Sequence, residues 1–401
     1  MTGGILRHFR AFFYAQAESC SRSFISSRPP ASNANRWQAS QENQNHLAQG
    51  KTMEKDYENS LSVDKDGKIV NEFSWSKSRD NVFKTCRRMY YLNYYAYWGG
   101  WSKTSSPSKQ ELYTMKKLSA RPLTIGSDVH ETTEWIIRRL KTYKQPVSVA
   151  EALRKLRYDM TTDWLFSMKH YYFTWPKETP GLAEHYYKKE LDFNSFEEDY
   201  SHAEKCIKNI YSSEIYQTLA QDISAQVIVE KRDSMDIAGV KVWIQSDLIV
   251  MYASGNIEIV DWKTGKDSAN EDVEIQLGIY ALYVKDKWNI PPSKISVREV
   301  NLYSGTEKKH LIDQQRIEQA LRYVRNSIFE MKKLLLEPTD DNKHNKPLPS
   351  QYFPMTEDVK FCRNCNFRGK CHQQERVTSS NMTTSVHLPI FEKEYDRLNK
   401  S

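Results

Sequence analysis

Three of the charged residues in the largely apolar stretch from Val240 to Lys266, VKVWIQSDLIVMYASGNIEIVDWKTGK, could carry out chemistry together. They are Asp247, Asp261 and Lys263. Two carboxylates together bind a hard divalent cation, and an ammonium beside them stabilises an anionic transition state or positions a water molecule. Because charged groups are costly among Ile, Val and Leu, the pattern indicates a metal-dependent hydrolytic site. The alternative is an exposed edge hairpin that carries scattered charges.

A β-hairpin would place these residues together. Ser254-Gly255-Asn256 is a turn signal between two β-branched runs, which predicts two antiparallel strands. If these three residues form the loop, Asp247 lies opposite Lys263 and Ile249 lies opposite Asp261. Side chains alternate along a strand, so Asp247, Asp261 and Lys263 are expected on one face.

Four further residues are weaker candidates. His130 stands in Gly126-x-x-x-His130 at the start of a predicted helix, where most lone histidines are structural. Gln276 and Tyr280 are four residues apart and share a helical face, which an ordinary amphipathic helix also explains. Glu230 ends a predicted strand and could be a metal ligand, although the sequence favours a strand-end salt bridge.

Three cysteines lie close together in Cys362-x-x-Cys365-x5-Cys371. No signal peptide with a long apolar segment precedes them, so metal ligation is favoured over a disulfide framework. Thiolates at this spacing bind zinc or an iron–sulfur cluster. A closed site needs a fourth ligand, which His372 or Cys86 could supply. Adjacent Cys371 and His372 would have to bend onto one ion, so Cys86 is favoured.

The rest of the chain must position these groups, and its patterns alternate between helix and strand. The expected helices run through Cys86 from Ser76 or Ser78 to about Tyr97, from Ser127 or Asp128 to Lys141, and over 148–170, 196–221, 271–287 and 313–336. The expected strands cover 226–231, the hairpin 240–264, and 294–302. The segments 104–120, 171–195 and 337–355 are predicted as a loop or short helix, an irregular region and a linker.

The composition of the chain indicates which kinds of partner to expect. The 401 residues carry a net charge of +7, which favours a polyanionic partner. Aromatic residues make up 12%, and tyrosines interleaved with Lys and Arg would suit stacking on single-stranded nucleic acid, although most are expected in the core. No run of about 18 apolar residues occurs, so no transmembrane helix and no membrane partner are predicted.

The N-terminal segment differs from the rest. Residues 1–52 contain only Glu18 and Glu42 as acids and are rich in Ser, Asn, Gln and Arg, which resembles an organellar transit peptide. A disordered tail, or translation from Met53, would explain the same composition. The expected location is cytoplasmic, or mitochondrial if a transit peptide is present. The predicted organisation is a disordered or targeting segment (1–72), a folded domain (73–373) and a flexible tail (374–401).

The order of the motifs resembles the RecB-type branch of the PD-(D/E)XK nuclease superfamily. It is similar, more narrowly, to the iron–sulfur members, namely the CRISPR-associated RecB-like nucleases and the AddB nuclease domain. The resemblance covers about residues 73–373. It rests on Cys86 in C-R-R-M-Y-Y-L, His130 after glycine, Asp247, Asp261-x-Lys263, Gln276-x-x-x-Tyr280 and the three-cysteine cluster. No ATP-binding Gly-Lys-Thr loop is present, so the helicase part of AddB is not expected and a helicase or repair partner stays unidentified.

The resemblance implies an α/β fold with a restriction-endonuclease-like core, in which a mixed central β-sheet is flanked by helices. It also implies a [4Fe–4S] cluster that joins the N- and C-terminal parts; zinc fits the same sulfur set. Its four ligands would be Cys86, Cys362, Cys365 and Cys371. The implied ligands of Mg²⁺ or Mn²⁺ are His130, Asp247, Asp261 and the carbonyl of Trp262. Lys263 would orient or activate the attacking water, and Gln276 and Tyr280 would position the substrate strand or the lysine.

The implied function is metal-dependent hydrolysis of DNA phosphodiester bonds by an exonuclease that acts on single strands or free ends. A second hypothesis is a non-catalytic nucleic-acid-binding module that keeps an iron–sulfur or zinc staple. A third is a zinc-stapled structural protein without nucleic-acid activity. The set of Asp247, Asp261 and Lys263 argues against a binding module, because binding alone does not need these groups.

Overall fold

The computed structural model describes residues 71–179, 181–265, 272–336, 346–372, 376–378 and 382–400. The chain divides into two units, 1–72 and 73–401, and every element described below belongs to the second. The expectations for the transit peptide and for Met53 lie outside the described residues. Among the helices of the described ranges, none is long and apolar enough to cross a bilayer.

Strands of the described ranges form a six-stranded mixed sheet and a small two-stranded one. The strands are β1 (Ser74–Trp75), β2 (Leu118–Ser119), β3 (Gly181–Leu182), β4 (Gln226–Ile237), β5 (Val240–Met251), β6 (Ile257–Lys263), β7 (Ile295–Asn301) and β8 (Thr306–Leu311). β5 is the central strand: β4 runs antiparallel along one edge, while β1 and β6 share the other. β7 lies parallel to β6, and β8 lies antiparallel to β7. The sequence analysis missed β8.

Helices connect and cover these strands. They are α1 (Lys77–Thr85), α2 (Arg87–Tyr91), α3 (Pro107–Lys117), α4 (Arg121–Lys141), α5 (Val149–Met168), α6 (Ala183–Tyr186), α7 (Phe193–Ser212), α8 (Glu214–Gln221), α9 (Asp272–Trp288), α10 (Gln314–Lys332), α11 (Val359–Arg363), α12 (Arg368–Cys371) and α13 (Leu388–Lys400). A π-helical turn, Leu92–Ala96, follows α2. The predicted α/β class with a mixed sheet between helices is confirmed.

The central sheet lies between two apolar cores. Ile257 and Ile259 of β6 join the first core with side chains of α9 and α10. Val260 and Trp262 join the second core with side chains of α4, α5 and α7. Because both faces are covered, β6 is apolar at most positions and does not alternate with solvent-facing residues. The carboxylates of Glu258 and Asp261 on this strand are therefore held inside the protein.

The predicted helix through Cys86 is two helices. Ser76 caps α1 as one of the two expected serines, since its hydroxyl accepts from the Arg79 amide at 3.1 Å. Cys86 has an extended backbone (φ −157°, ψ 114°), which ends α1 and starts α2. Its sulfur then caps α2 by accepting from the Met89 amide at 3.4 Å. The extended backbone at Cys86 is the reason that the single-helix prediction is wrong.

The start of α4 also differs from the prediction. The helix begins at Arg121 with Pro122 in its first turn, where a missing N–H costs nothing. Ser127 and Asp128 therefore lie inside the helix and do not cap it. This places His130 in the third turn, well within rigid structure.

Residues near the C-terminus belong to the folded part, in contrast to the predicted flexible tail over 374–401. α13 packs on α5, and Phe391 is fully buried against Trp164, with ring centroids 5.5 Å apart. Within the predicted linker 337–355, Phe353 is fully buried in the first core. In both places a buried aromatic side chain helps to hold the segment on the folded part, which composition alone does not reveal.

Candidate active site

The hairpin places the ionisable residues together, in a register that differs from the prediction. Gly255 has φ +79°, and its amide donates to the Tyr252 carbonyl at 2.9 Å. A three-residue loop takes a left-handed residue at its last position, so Gly255 ends the loop and 253–255 form it. Leu248 consequently pairs with Val260, and the next position along this register puts Asp247 opposite Asp261.

The predicted pairing of Asp247 with Lys263 is therefore wrong. The loop lies one residue earlier than expected, which shifts the register by two residues. A shift of two leaves every side chain on its expected face, because side chains alternate with period two. The signal that could have given the register is Gly255, since glycine is preferred at the left-handed position.

Asp261 is the buried centre of the site. It is 4% exposed, and its carboxylate lies 2.6 Å from the Lys263 ammonium. Burial, and then the charge of Asp247, raise the pKa of Asp261. Burial lowers the pKa of Lys263, but Asp261 outweighs it and the net shift is upward. The lysine is therefore a cation at neutral pH, and two adjacent carboxylates favour a further cation beside them.

His130 and Asp247 form the other half of the site. His130 Nδ1 lies 3.2 Å from Asp247 Oδ1, and Asp247 Oδ2 accepts from the Trp262 amide at 2.8 Å. Burial lowers the pKa of His130, yet Asp247 and then Glu230 raise it to about 9. The indole of Trp262 lies in the second core, so only the backbone of this residue faces the site.

Glu230 joins this half of the site, although the sequence analysis favoured a strand-end salt bridge for it. β4 continues to Ile237, so Glu230 is in the middle of a strand, with φ +48°. One ligand atom from each of His130, Glu230 and Asp247 lies within 4.8 Å of the others. Two carboxylates and an imidazole suit a divalent cation such as Mn²⁺ or Mg²⁺. The donor set thus fits the metal that the sequence implied.

α9 supplies the remaining predicted residues. Gln276 donates to Asp261 at 3.0 Å and to the Tyr280 hydroxyl at 2.8 Å, and that hydroxyl lies 3.2 Å from Asp261. Burial, and then Asp261, raise the pKa of Tyr280 well above its usual value, so the phenol keeps its proton. Both side chains contact Asp261, which gives them a role in orienting this carboxylate.

Replacement of Tyr280 by phenylalanine is expected to lower the cleavage rate roughly tenfold, because a hydrogen bond to a charged group is lost. The measurement is the single-turnover rate on end-labelled DNA with Mn²⁺. Tyr283→Phe is the matched control, since it removes a hydroxyl from the same helix that contacts Asp233 outside the site. Equal rates for the two variants would contradict a role for Tyr280 in orienting Asp261.

The four cysteines of the sequence prediction line one small cavity. Cys86, Cys362, Cys365 and Cys371 share it with His372 and with apolar side chains such as Met89 and Phe367. Cys365 accepts from the Phe367 amide at 3.4 Å, much as Cys86 accepts from Met89. Cys206 lies elsewhere, fully buried in the second core. The cavity therefore gathers the predicted ligands from two distant parts of the chain, together with His372.

A protein-family model matches most of the folded part of the chain. The model for the PD-(D/E)XK nuclease superfamily matches residues 74–372. The chain belongs to this superfamily. The match includes His130, Asp247 and Asp261-x-Lys263, and membership in the PD-(D/E)XK superfamily suggests a nuclease that acts on nucleic acid with a divalent metal.

Other comparisons add little. No curated protein matches the chain significantly. One similar solved structure is described as "Crystal structure of SSO0001", with 14% identity and a TM-score of 0.26. The alignment covers 57% of this PD-(D/E)XK chain and 97% of that one. These values are too low to support an argument about function.

Proposed function

We propose that this PD-(D/E)XK protein is a Mg²⁺- or Mn²⁺-dependent deoxyribonuclease of the RecB-like branch, acting on single strands or free ends. One observation carries the proposal. The buried Asp261 carboxylate lies 2.6 Å from the partly buried Lys263 ammonium, beside Asp247 and His130. This arrangement is costly for folding alone, and it matches the needs of phosphodiester hydrolysis.

The residues of the site would have different roles in catalysis. Asp247, Asp261 and His130 would hold the cation, with the Trp262 carbonyl as an expected ligand and Glu230 within reach. A bound cation would supply a Lewis acid for phosphate oxygens and a more acidic water. Lys263 is a cation at neutral pH, which suits stabilisation of the developing phosphorane charge. Gln276 and Tyr280 hold Asp261 in its orientation.

The decisive experiment is incubation of the purified protein with end-labelled single- and double-stranded DNA, in Mg²⁺, in Mn²⁺ and in chelator. Metal-dependent loss of the labelled substrate is expected, and product length separates cutting from ends from internal cutting. A labelled RNA strand tests the choice of nucleic acid. Binding without cleavage in either metal would instead favour the non-catalytic binding module.

We further propose that the cysteine cavity holds a [4Fe–4S] cluster. Three observations support it: four sulfurs reach one cavity, its other walls are largely apolar, and two of the sulfurs accept backbone N–H bonds. Such hydrogen bonds and exclusion of solvent stabilise cluster thiolates. A zinc site with His372 is the second candidate, because His372 also lines the cavity.

DNA binding by the basic, aromatic segment Arg87–Lys117 is expected to weaken with salt. Tyr97 and Tyr113 of this segment are buried, which leaves exposed lysines such as Lys103 and Lys109 for backbone contacts. Affinity for single-stranded DNA should fall by about tenfold between 50 and 200 mM salt, since each phosphate contact releases a counterion. Fluorescence anisotropy in Ca²⁺, which replaces the catalytic metal, measures this dependence.

A double replacement, Lys103→Ala with Lys109→Ala, should weaken binding and flatten the salt dependence. Replacement of Lys332 and Lys333 at the end of α10 is the matched control, because it removes the same charge elsewhere on the protein. Binding that hardly changes with salt would exclude backbone contacts as the main source of affinity.

A further inference from the structure

The backbone after β6 is held at three successive carbonyls. The ladder with β7 ends at the pair of Lys263 with Asn301, so the carbonyls beyond it need other donors. The Leu302 amide donates to the Lys263 carbonyl at 2.7 Å. His202 Nε2 then donates to the Thr264 carbonyl at 2.7 Å, and Asn301 Nδ2 donates to the Gly265 carbonyl at 3.0 Å. The side chains of His202 and Asn301 thus supply the hydrogen-bond donors that a neighbouring strand would otherwise provide to this backbone.

The two side-chain donors are themselves fixed. Asn301 is 5% exposed, and its Oδ1 accepts from the amides of Tyr303 and Ser304, each at 3.0 Å. The His202 ring stacks on Tyr303 with centroids 4.3 Å apart and planes at 21°. His202 belongs to α7 and Asn301 ends β7, so two separate elements meet at this backbone. Both donors are therefore held in place, and neither can move with the Thr264 or Gly265 carbonyl if this backbone shifts.

The position of the Lys263 backbone matters for catalysis because the lysine ammonium lies at the end of a flexible side chain. Its position relative to Asp261, 2.6 Å away, depends on where the Lys263 backbone is held. A misplacement of about 1 Å can cost about a hundredfold in rate when a reacting group must be aligned. Supports of this kind have little effect on substrate affinity, since they touch no substrate.

We propose that His202 and Asn301 are positioning residues for Lys263, which they serve by fixing the backbone of residues 263–265. The inference rests on the proposed nuclease function. It concerns residues that the sequence analysis did not single out, and no local motif marks them. What the two residues share is that each donates a hydrogen bond to a backbone carbonyl just after the end of β6.

The test compares His202→Ala and Asn301→Ala with Asn209→Ala. Asn209 holds the same turn after β7, by donating to the Leu302 and Tyr303 carbonyls, but does not reach residues 263–265. The measurements are kcat and KM on end-labelled DNA with Mn²⁺, and Tm. The first two variants should lose about tenfold to a hundredfold in kcat with KM unchanged. Asn209→Ala should keep kcat, with a similar change in Tm.

A rescue variant separates positioning from stability. His202→Gln keeps a side-chain N–H donor and should recover much of the kcat that His202→Ala loses. Equal kcat in His202→Ala, Asn301→Ala and Asn209→Ala would overturn the inference. If Asn301→Ala fails to fold, the two His202 variants decide the matter by themselves.

Lys263→Met distinguishes this inference from the proposed function. If Lys263→Met is inactive while His202→Ala and Asn301→Ala retain full kcat, only the positioning role is lost. If Lys263→Met cleaves DNA normally, the catalytic role of Lys263 is refuted, and the inference fails with it. If the wild-type protein cleaves no DNA in Mg²⁺ or Mn²⁺, the proposed function itself fails.

Discussion

Replacement of Asp261 by asparagine is expected to reduce DNA cleavage on the order of a thousandfold while the protein stays folded. Asparagine preserves the size of the side chain but removes the charge that lies beside Lys263 and that would face the proposed cation. Loss of one group that stabilises charge in a transition state typically costs a hundredfold to a thousandfold. Removal of a metal ligand adds to that loss.

The measurement is the cleavage rate of end-labelled DNA at fixed Mn²⁺, together with Tm and the affinity for DNA in Ca²⁺. Lys263→Met should be similarly inactive, and both variants should bind DNA. Asp286→Asn, an exposed carboxylate on α9, is the matched control and should cleave normally. Asp261→Asn that cleaves at the wild-type rate in the same metal would refute the assignment of this site.

Replacement of Cys86 by serine is expected to remove the metal centre from the cysteine cavity and to destabilise the fold by about 3–5 kcal/mol. Cys86 lies 276 residues before Cys362, so a centre that includes both closes a very long loop. Closure of such a loop restricts the unfolded chain, and metal binding contributes directly to folding free energy.

Protein purified without oxygen should be brown and contain iron and sulfide, and Cys86→Ser should contain neither. Cys206→Ala is the control: it should keep the metal and lose only about 1 kcal/mol, because it leaves a small hole in the second core. A colourless protein with one equivalent of zinc, unaffected by Cys86→Ser but disrupted by His372→Ala, would instead show a local zinc site.

Some parts of the site could be predicted because they depend on short-range rules. The alternation of side chains places Asp261 and Lys263 on one face whatever the register, and the turn signal predicts the hairpin. The register itself depends on the left-handed position of Gly255 at the end of the loop. The prediction placed Gly255 in the middle of the loop, so the loop was placed one residue too late. The carboxylates and the three clustered cysteines stand out in the sequence alone, whereas the roles of His130 and Gln276 came from the family resemblance.

Other parts could not be predicted from local patterns. β8 reads TEKKHL, and among its side chains only that of His310 is buried, so it has no apolar alternation. Glu230 and Asn301 enter the site through the pairing of long strands, which a single sequence does not specify. Phe391 is one aromatic residue in a polar helix, and its burial depends on contacts with residues more than 190 positions earlier.

The late position of Phe391 has a consequence for synthesis on the ribosome. The second core carries α4, and with it His130, but Phe391 must emerge before the contacts with Trp164 and Phe196 can form. The nascent chain therefore exposes an aromatic surface until the end of α13 has left the exit tunnel. Any fragment that lacks Phe391 would leave Trp164 and Phe196 without this aromatic contact, and exposed apolar surface of that kind promotes aggregation.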